Sequence, residues 1–112
     1  MYKIKIPLLF RSWDKVCVVL KGTEIGFYKD VKSYRTSPEA TYRGEVPIDI
    51  VGATAEIASD YKKKQNVFRL KLANCGQYLF QAPSEEEMAQ WVNAINQVAI
   101  QDEGPVGGLG RY

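Results

Sequence analysis

Residues 84–101, SEEEMAQWVNAINQVAIQ, carry the one long helical pattern in the chain, and everything before them reads as strands and turns. Met88, Trp91, Val92, Ile95, Val98 and Ala99 recur at intervals of three and four. One apolar stripe therefore faces a core, while Gln90, Asn93 and Asn96 face water. Trp91 is expected to be the largest buried anchor of the stripe. Ser84 and Glu87 have the spacing of a capping box, and Glu85, Glu86 and Glu87 suit the positive end of the helix dipole. A lone amphipathic helix at the end of a strand-forming chain requires a sheet or barrel with an apolar opening to cover.

The preceding residues supply those strands. Tyr2, Ile4 and Ile6 alternate with Lys3 and Lys5, the period of a half-buried strand that Pro7 ends. Residues 12–21 form a second strand, with Val16, Val18 and Leu20 on one face, and Gly22–Thr23 turns it into a third at 24–29. Residues 30–44 lack a sustained period and read as a long surface loop with a helical turn. VPIDI at 46–50 is a short edge strand because it contains Pro47. Residues 54–58 and 66–72 flank a polar tip, SDYKKKQN, and the last strand, 77–82, places Tyr78, Phe80 and Ala82 on one face. Seven short strands and one helix predict a mainly β sandwich or partly open barrel over residues 1–101, with the helix covering one end. Residues 102–112, DEGPVGGLGRY, are expected to be a flexible Gly-rich tail.

Composition narrows the chemistry. The 112 residues contain no histidine, which removes the commonest general base and metal ligand. Cys17 and Cys75 have no CxxC partner, so neither a zinc site nor a disulfide is expected, and no cofactor is implied. No apolar run reaches bilayer length and the start lacks a secretion h-region, so a cytoplasmic location is expected. The net charge is only +2, but it is polarised. Residues 1–43 hold nine basic against four acidic side chains, and residues 60–71 hold five against one. Such a layout turns one end toward an anionic surface. Nucleic acid is disfavoured, because the aromatics fall on core-facing positions and not on a stacking platform.

Two basic segments stand out. Lys62, Lys63 and Lys64 occupy the strand-to-strand tip, where three adjacent ammonium groups are either a solvated loop or an offer to an anion. Tyr61 beside them either donates its phenol to a phosphate oxygen or caps the loop. Arg11, Ser12 and Trp13 place a guanidinium, a hydroxyl and an amphipathic ring side by side. Arginine suits bidentate phosphate contact, and Trp13 suits either the membrane boundary or packing at a barrel rim.

The segments RSWDKVCVVLKGTEIGFYKDVKS, GEVPIDI, EIASDYKKKQNVFRLKLANCGQYLFQA and EEEMAQWVNAI, in that order and spacing, resemble the pleckstrin-homology domain of β-spectrin chains. The resemblance implies a seven-stranded, bent antiparallel barrel capped by the C-terminal helix, without catalytic activity. It also implies an inositol phosphate headgroup held between the first hairpin loop and the loop joining the fifth and sixth strands. By motif, Arg11, Ser12 and Trp13 match the first element, and Tyr61 and Lys63 match the second. Lys62, Lys64, Lys3 and Lys5 would then add a supporting basic field. Only MYKIKIPLLF precedes Arg11, shorter than in the family, so the first strand and hairpin are expected to be irregular. The expected function is attachment of a spectrin-type cytoskeletal protein to the inner face of the plasma membrane through phosphoinositides, with other membrane-skeleton proteins as further partners. The other reading is a protein-interaction module on the same scaffold.

Overall fold

The computed structural model of the protein describes residues 1–6 and 13–101. The expectations for Arg11, Ser12, the side chain of Lys5 and the tail at 102–112 lie outside the described residues. Strands β1 (Tyr2–Ile6), β2 (Asp14–Lys15), β3 (Cys17–Lys21), β4 (Glu24–Tyr28), β5 (Ile48–Asp49), β6 (Thr54–Ile57), β7 (Val67–Lys71) and β8 (Gln77–Gln81) precede the long helix. A short helix α1 (Val31–Thr36) and a 3-10 turn (Tyr42–Gly44) interrupt the long β4–β5 excursion, and α2 (Glu85–Gln101) follows β8. The strands make two antiparallel sheets, of order β2-β1-β8-β7-β6 and β3-β4-β5.

The stretch read as one strand over 12–21 is two strands in different sheets. Buried Val16 is the corner between them, and its N–H donates to the Met1 carbonyl at 2.8 Å. This bend lets the sheets face each other over one core. Gly22, at φ +60, supplies the left-handed residue of the two-residue turn joining β3 to β4. Pro47 precedes β5, which is an edge strand as expected. β1 pairs with β8 over all five residues and with β2 over two. The irregularity expected of the first strand is thus absent from its pairing with β8.

Between the sheets, Phe68 and Phe80 stack at 5.2 Å and Phe27 lies 6.1 Å from Phe80. The helix closes this core with Met88, Ile95 and Ala99. Ser84 Oγ accepts the Glu87 N–H at 3.1 Å, which fixes the helix start. Two expectations for α2 are corrected. Trp91 packs against the core but is only partly buried, because it also lines an open groove with Met1, Val16, Val18 and Val31. Ile95, fully buried, is the anchor instead.

Asn96 does not simply face water. Its amide donates to the Ala55 carbonyl at 2.9 Å and its carbonyl accepts the Ala55 N–H at 2.8 Å. β6 is an edge strand, so Ala55 has no further strand to pair with, and the Asn96 side chain takes that place. No helix among the described residues is long and apolar enough to cross a membrane.

Candidate headgroup site

The opposite face of the five-stranded sheet carries a second, smaller apolar cluster of Ala58, Val67 and Leu79, against which Trp13 and Tyr61 pack. Its existence follows from strand alternation. Phe68 and Leu70 point into the main core, so Val67 points away from it, into the smaller cluster against which the two aromatic side chains pack. The Trp13 and Tyr61 rings meet edge to face, with centroids 5.9 Å apart. Lys64 Nζ lies 5.7 Å from the centre of the Trp13 ring. The start of the second predicted strand and the SDYKKKQN tip are therefore neighbours, although they are some fifty residues apart in sequence.

The tip itself is built from backbone bonds. The Tyr61 N–H donates to the Ala58 carbonyl at 3.1 Å, and Asn66, at φ +60, turns the chain back into β7. Lys62, Lys63 and Lys64 are exposed on it. The nearby acid faces elsewhere. Asp60 accepts both nitrogens of Arg69, at 3.0 and 3.1 Å. That guanidinium holds the Asp60 carboxyl below its ordinary range, and the Arg69 pKa is raised in turn. Glu56 is likewise taken up by Lys71 at 3.5 Å. Asp60 and Glu56 thus sit on the basic residues of β7, while Lys62, Lys63 and Lys64 stand exposed on the tip and bring positive charge to that end.

Lys3 takes no part in that patch. Expected on a solvent face with Lys5, it is 2% exposed, turned into the core, and bonded to Glu45 at 3.0 Å. Its ammonium also lies 4.7 Å from the Phe27 ring centre. The reason is register: Lys3 pairs with Phe80, whose side chain faces the core, so Lys3 shares that face. Sequence reading missed this because Glu45 lies 42 positions away. It also missed Asp14, which sits beside Trp13 and approaches Arg43 at 4.0 Å.

The arrangement offers cations, aromatic edges and a phenol. Among the described residues, no group of three or more Cys, Asp or Glu side chains could hold a metal ion.

The family model described as the pleckstrin homology domain matches residues 2–100. The spectrin beta chain of Drosophila melanogaster is 52% identical over 85 residues, which are 76% of this chain and 4% of that protein. The chain therefore spans a small fraction of that relative. A solution structure described as a cytoskeleton/signal transduction protein superposes with a TM-score of 0.64 at 49% identity, covering 80% of this chain and 74% of the other. The C-terminal PH domain of pleckstrin, crystallised in complex with an inositol pentakisphosphate, has a TM-score of 0.64 at 17% identity over 88% of this chain and 94% of its own. That last likeness speaks to the fold alone. With the two sheets, the capping helix and these matches in agreement, the chain belongs to the pleckstrin homology domain family and is similar to the domain of spectrin beta chains.

Proposed function

We propose that the domain binds the phosphorylated headgroup of phosphoinositides and so attaches a spectrin-type protein to the cytoplasmic face of the membrane. The observation that carries this reading is the meeting of Trp13, Tyr61 and Lys64 on one face of the five-stranded sheet, with Lys62 and Lys63 exposed beside them. Arg11 and Ser12 immediately precede Trp13 in sequence and complete the set. Lys63 and Arg11 act as direct phosphate ligands, Ser12 and Tyr61 supply hydroxyl donors, and Trp13 lies at the lipid boundary.

No bond is made or broken in this function. Each basic residue near an anionic leaflet contributes on the order of 1 kcal/mol, so the contact is reversible and weakens with salt. Sedimentation with phosphoinositide vesicles tests the reading. Replacing Arg11 and Lys63 with Gln should reduce bound protein far more than replacing Lys29 and Lys32, which contribute only to the general field. Equal losses from the two pairs would show nonspecific attraction and reject the site.

A further inference from the structure

The β4–β5 excursion is held more firmly than a connecting loop requires. The Asp30 carboxylate accepts the Ser33 N–H at 2.7 Å and caps α1. Tyr28 donates to the Pro38 carbonyl at 2.8 Å and packs its ring against Tyr34. Beyond the turn, the Lys3–Glu45 pair ties the excursion to the core. Under this frame lies a groove of about 570 Å3, lined by Lys29, Arg43 and the hydroxyl side chains of Ser33, Thr36, Ser37 and Thr41. Among the described residues no carboxylate lines it.

The phenol of Tyr42 also lines the groove, and the four aliphatic hydroxyls are not equivalent. Thr36 donates to the Lys32 carbonyl at 2.9 Å and Thr41 to the Glu45 carbonyl at 2.7 Å, and Ser33 lies inside α1. Ser37 is the residue at which the helix ends, with φ −145 and ψ 73, and Pro38 follows it. Proline has no N–H, so an enzyme pocket that would leave that donor unpaired accepts Ser-Pro without the usual desolvation cost. α1 has no buried residues, so a local opening that presents Ser37 as an extended segment costs chiefly the Tyr28–Pro38 hydrogen bond and the Tyr28–Tyr34 ring contact.

We propose that Ser37 is a phosphorylation site whose phosphate is held in this groove by Lys29 and Arg43. The co-substrate is a nucleoside triphosphate. Ser37 Oγ forms the new bond to the γ-phosphorus, the bond to the nucleoside diphosphate breaks, and the hydroxyl proton passes to the carboxylate base of the kinase. The product brings about −1.5 to −2 charges and three acceptor oxygens into a groove flanked by two cations. Arg43 is free to turn toward it. Its side chain is 68% exposed, Asp14 is 4.0 Å away, at the outer limit of an ion pair, and the Tyr42 ring that it also lies over, 5.1 Å from the centroid, lines the same groove.

The test is incubation of the whole chain with a proline-directed serine kinase and ATP, followed by mass mapping and a 31P titration of the product. One phosphate on Ser37 is expected, absent from Ser37→Ala and at least about tenfold slower to appear in Pro38→Ala. The second phosphate ionisation should fall below its ordinary value of about 6, and return to it in the Lys29→Gln/Arg43→Gln double variant. Modification of a 30–45 peptide but not of Ser37 in the folded chain would overturn the site. Phosphate on Ser37 that titrates alike in the parent and the double variant would overturn the role of the groove.

Discussion

Lys3 and Lys64 are the same residue type, each with its ammonium near an aromatic ring, and the fold uses them in opposite ways. Lys3 is enclosed, 3.0 Å from Glu45 and 4.7 Å from the Phe27 centre. Lys64 stands on an exposed tip, 5.7 Å from the centre of the Trp13 ring. The difference lies in what desolvation demands. A buried ammonium needs a counter-charge within the fold, and Glu45 supplies it. Three adjacent lysines on an exposed tip stay in reach of solvent and add their charge to the field at that end of the molecule. Position relative to the sheet, and not lysine content, decides which cations can meet a ligand.

The comparison breaks most easily at the buried end. Glu45→Gln leaves Lys3 enclosed without its counter-charge. The loss expected is about 2–3 kcal/mol in urea unfolding, below the full cost for a buried pair because Glu45 is itself partly exposed. Lys3→Met, which removes the charge and keeps the length, should cost no more than about 1 kcal/mol. Both variants should bind phosphoinositide vesicles as the parent does. A large binding loss in Lys3→Met with unchanged stability would place Lys3 in the ligand site and reverse the contrast drawn here.

Trp13→Ala sharpens the distinction, because Trp13 both covers Val67 and Leu79 and underlies Lys64. A loss of about 1–2 kcal/mol in stability is expected, since the ring is only half-buried, together with weaker vesicle binding. Unchanged binding would remove Trp13 from the site and leave it a packing residue. At the exposed end, changing Lys62, Lys63 and Lys64 to Gln should alter stability by less than about 0.5 kcal/mol while abolishing headgroup binding. A substantial drop in melting temperature would show that the tip is structural after all.

The smallest effect concerns acid. Because Arg69 depresses the Asp60 pKa, the contribution of that pair to stability is complete above the ordinary carboxylate value of 3.8 and disappears as pH falls through the lower folded value. Amide shifts at 58–61 should therefore titrate below pH 3.8 in the parent and not in Asp60→Asn. A midpoint at or above the ordinary value would contradict the pairing.

Much of the architecture was legible because periodicity survives folding. The alternation at 66–72 and 77–82 and the three-to-four spacing at 88–99 each mark a face, and those faces meet in the core. The bend at Val16 was not legible, since an apolar run is the same string whether it stays in one sheet or passes between two. Nor was Asn96, whose role exists only because Ala55 falls on an edge strand. Lys3 misled for a similar reason: alternation tells which residues share a face, but not which face is inside when the other side also carries an apolar cluster. Trp13 and Tyr61 stand in separate segments, each with its own side-chain chemistry, and the family resemblance alone links them in the sequence. Their 5.9 Å contact is a tertiary fact that neither local pattern contains.

The most direct test of the central claim, that the lysine tip and the Trp13–Tyr61 pair form one headgroup site, is an amide-shift titration of the chain with soluble inositol phosphates. The account predicts a saturable one-to-one isotherm, with the largest shifts at Trp13 and across 59–66 and only small shifts at Lys29 and Lys32. Shifts spread evenly over the exposed lysines without saturation would contradict it.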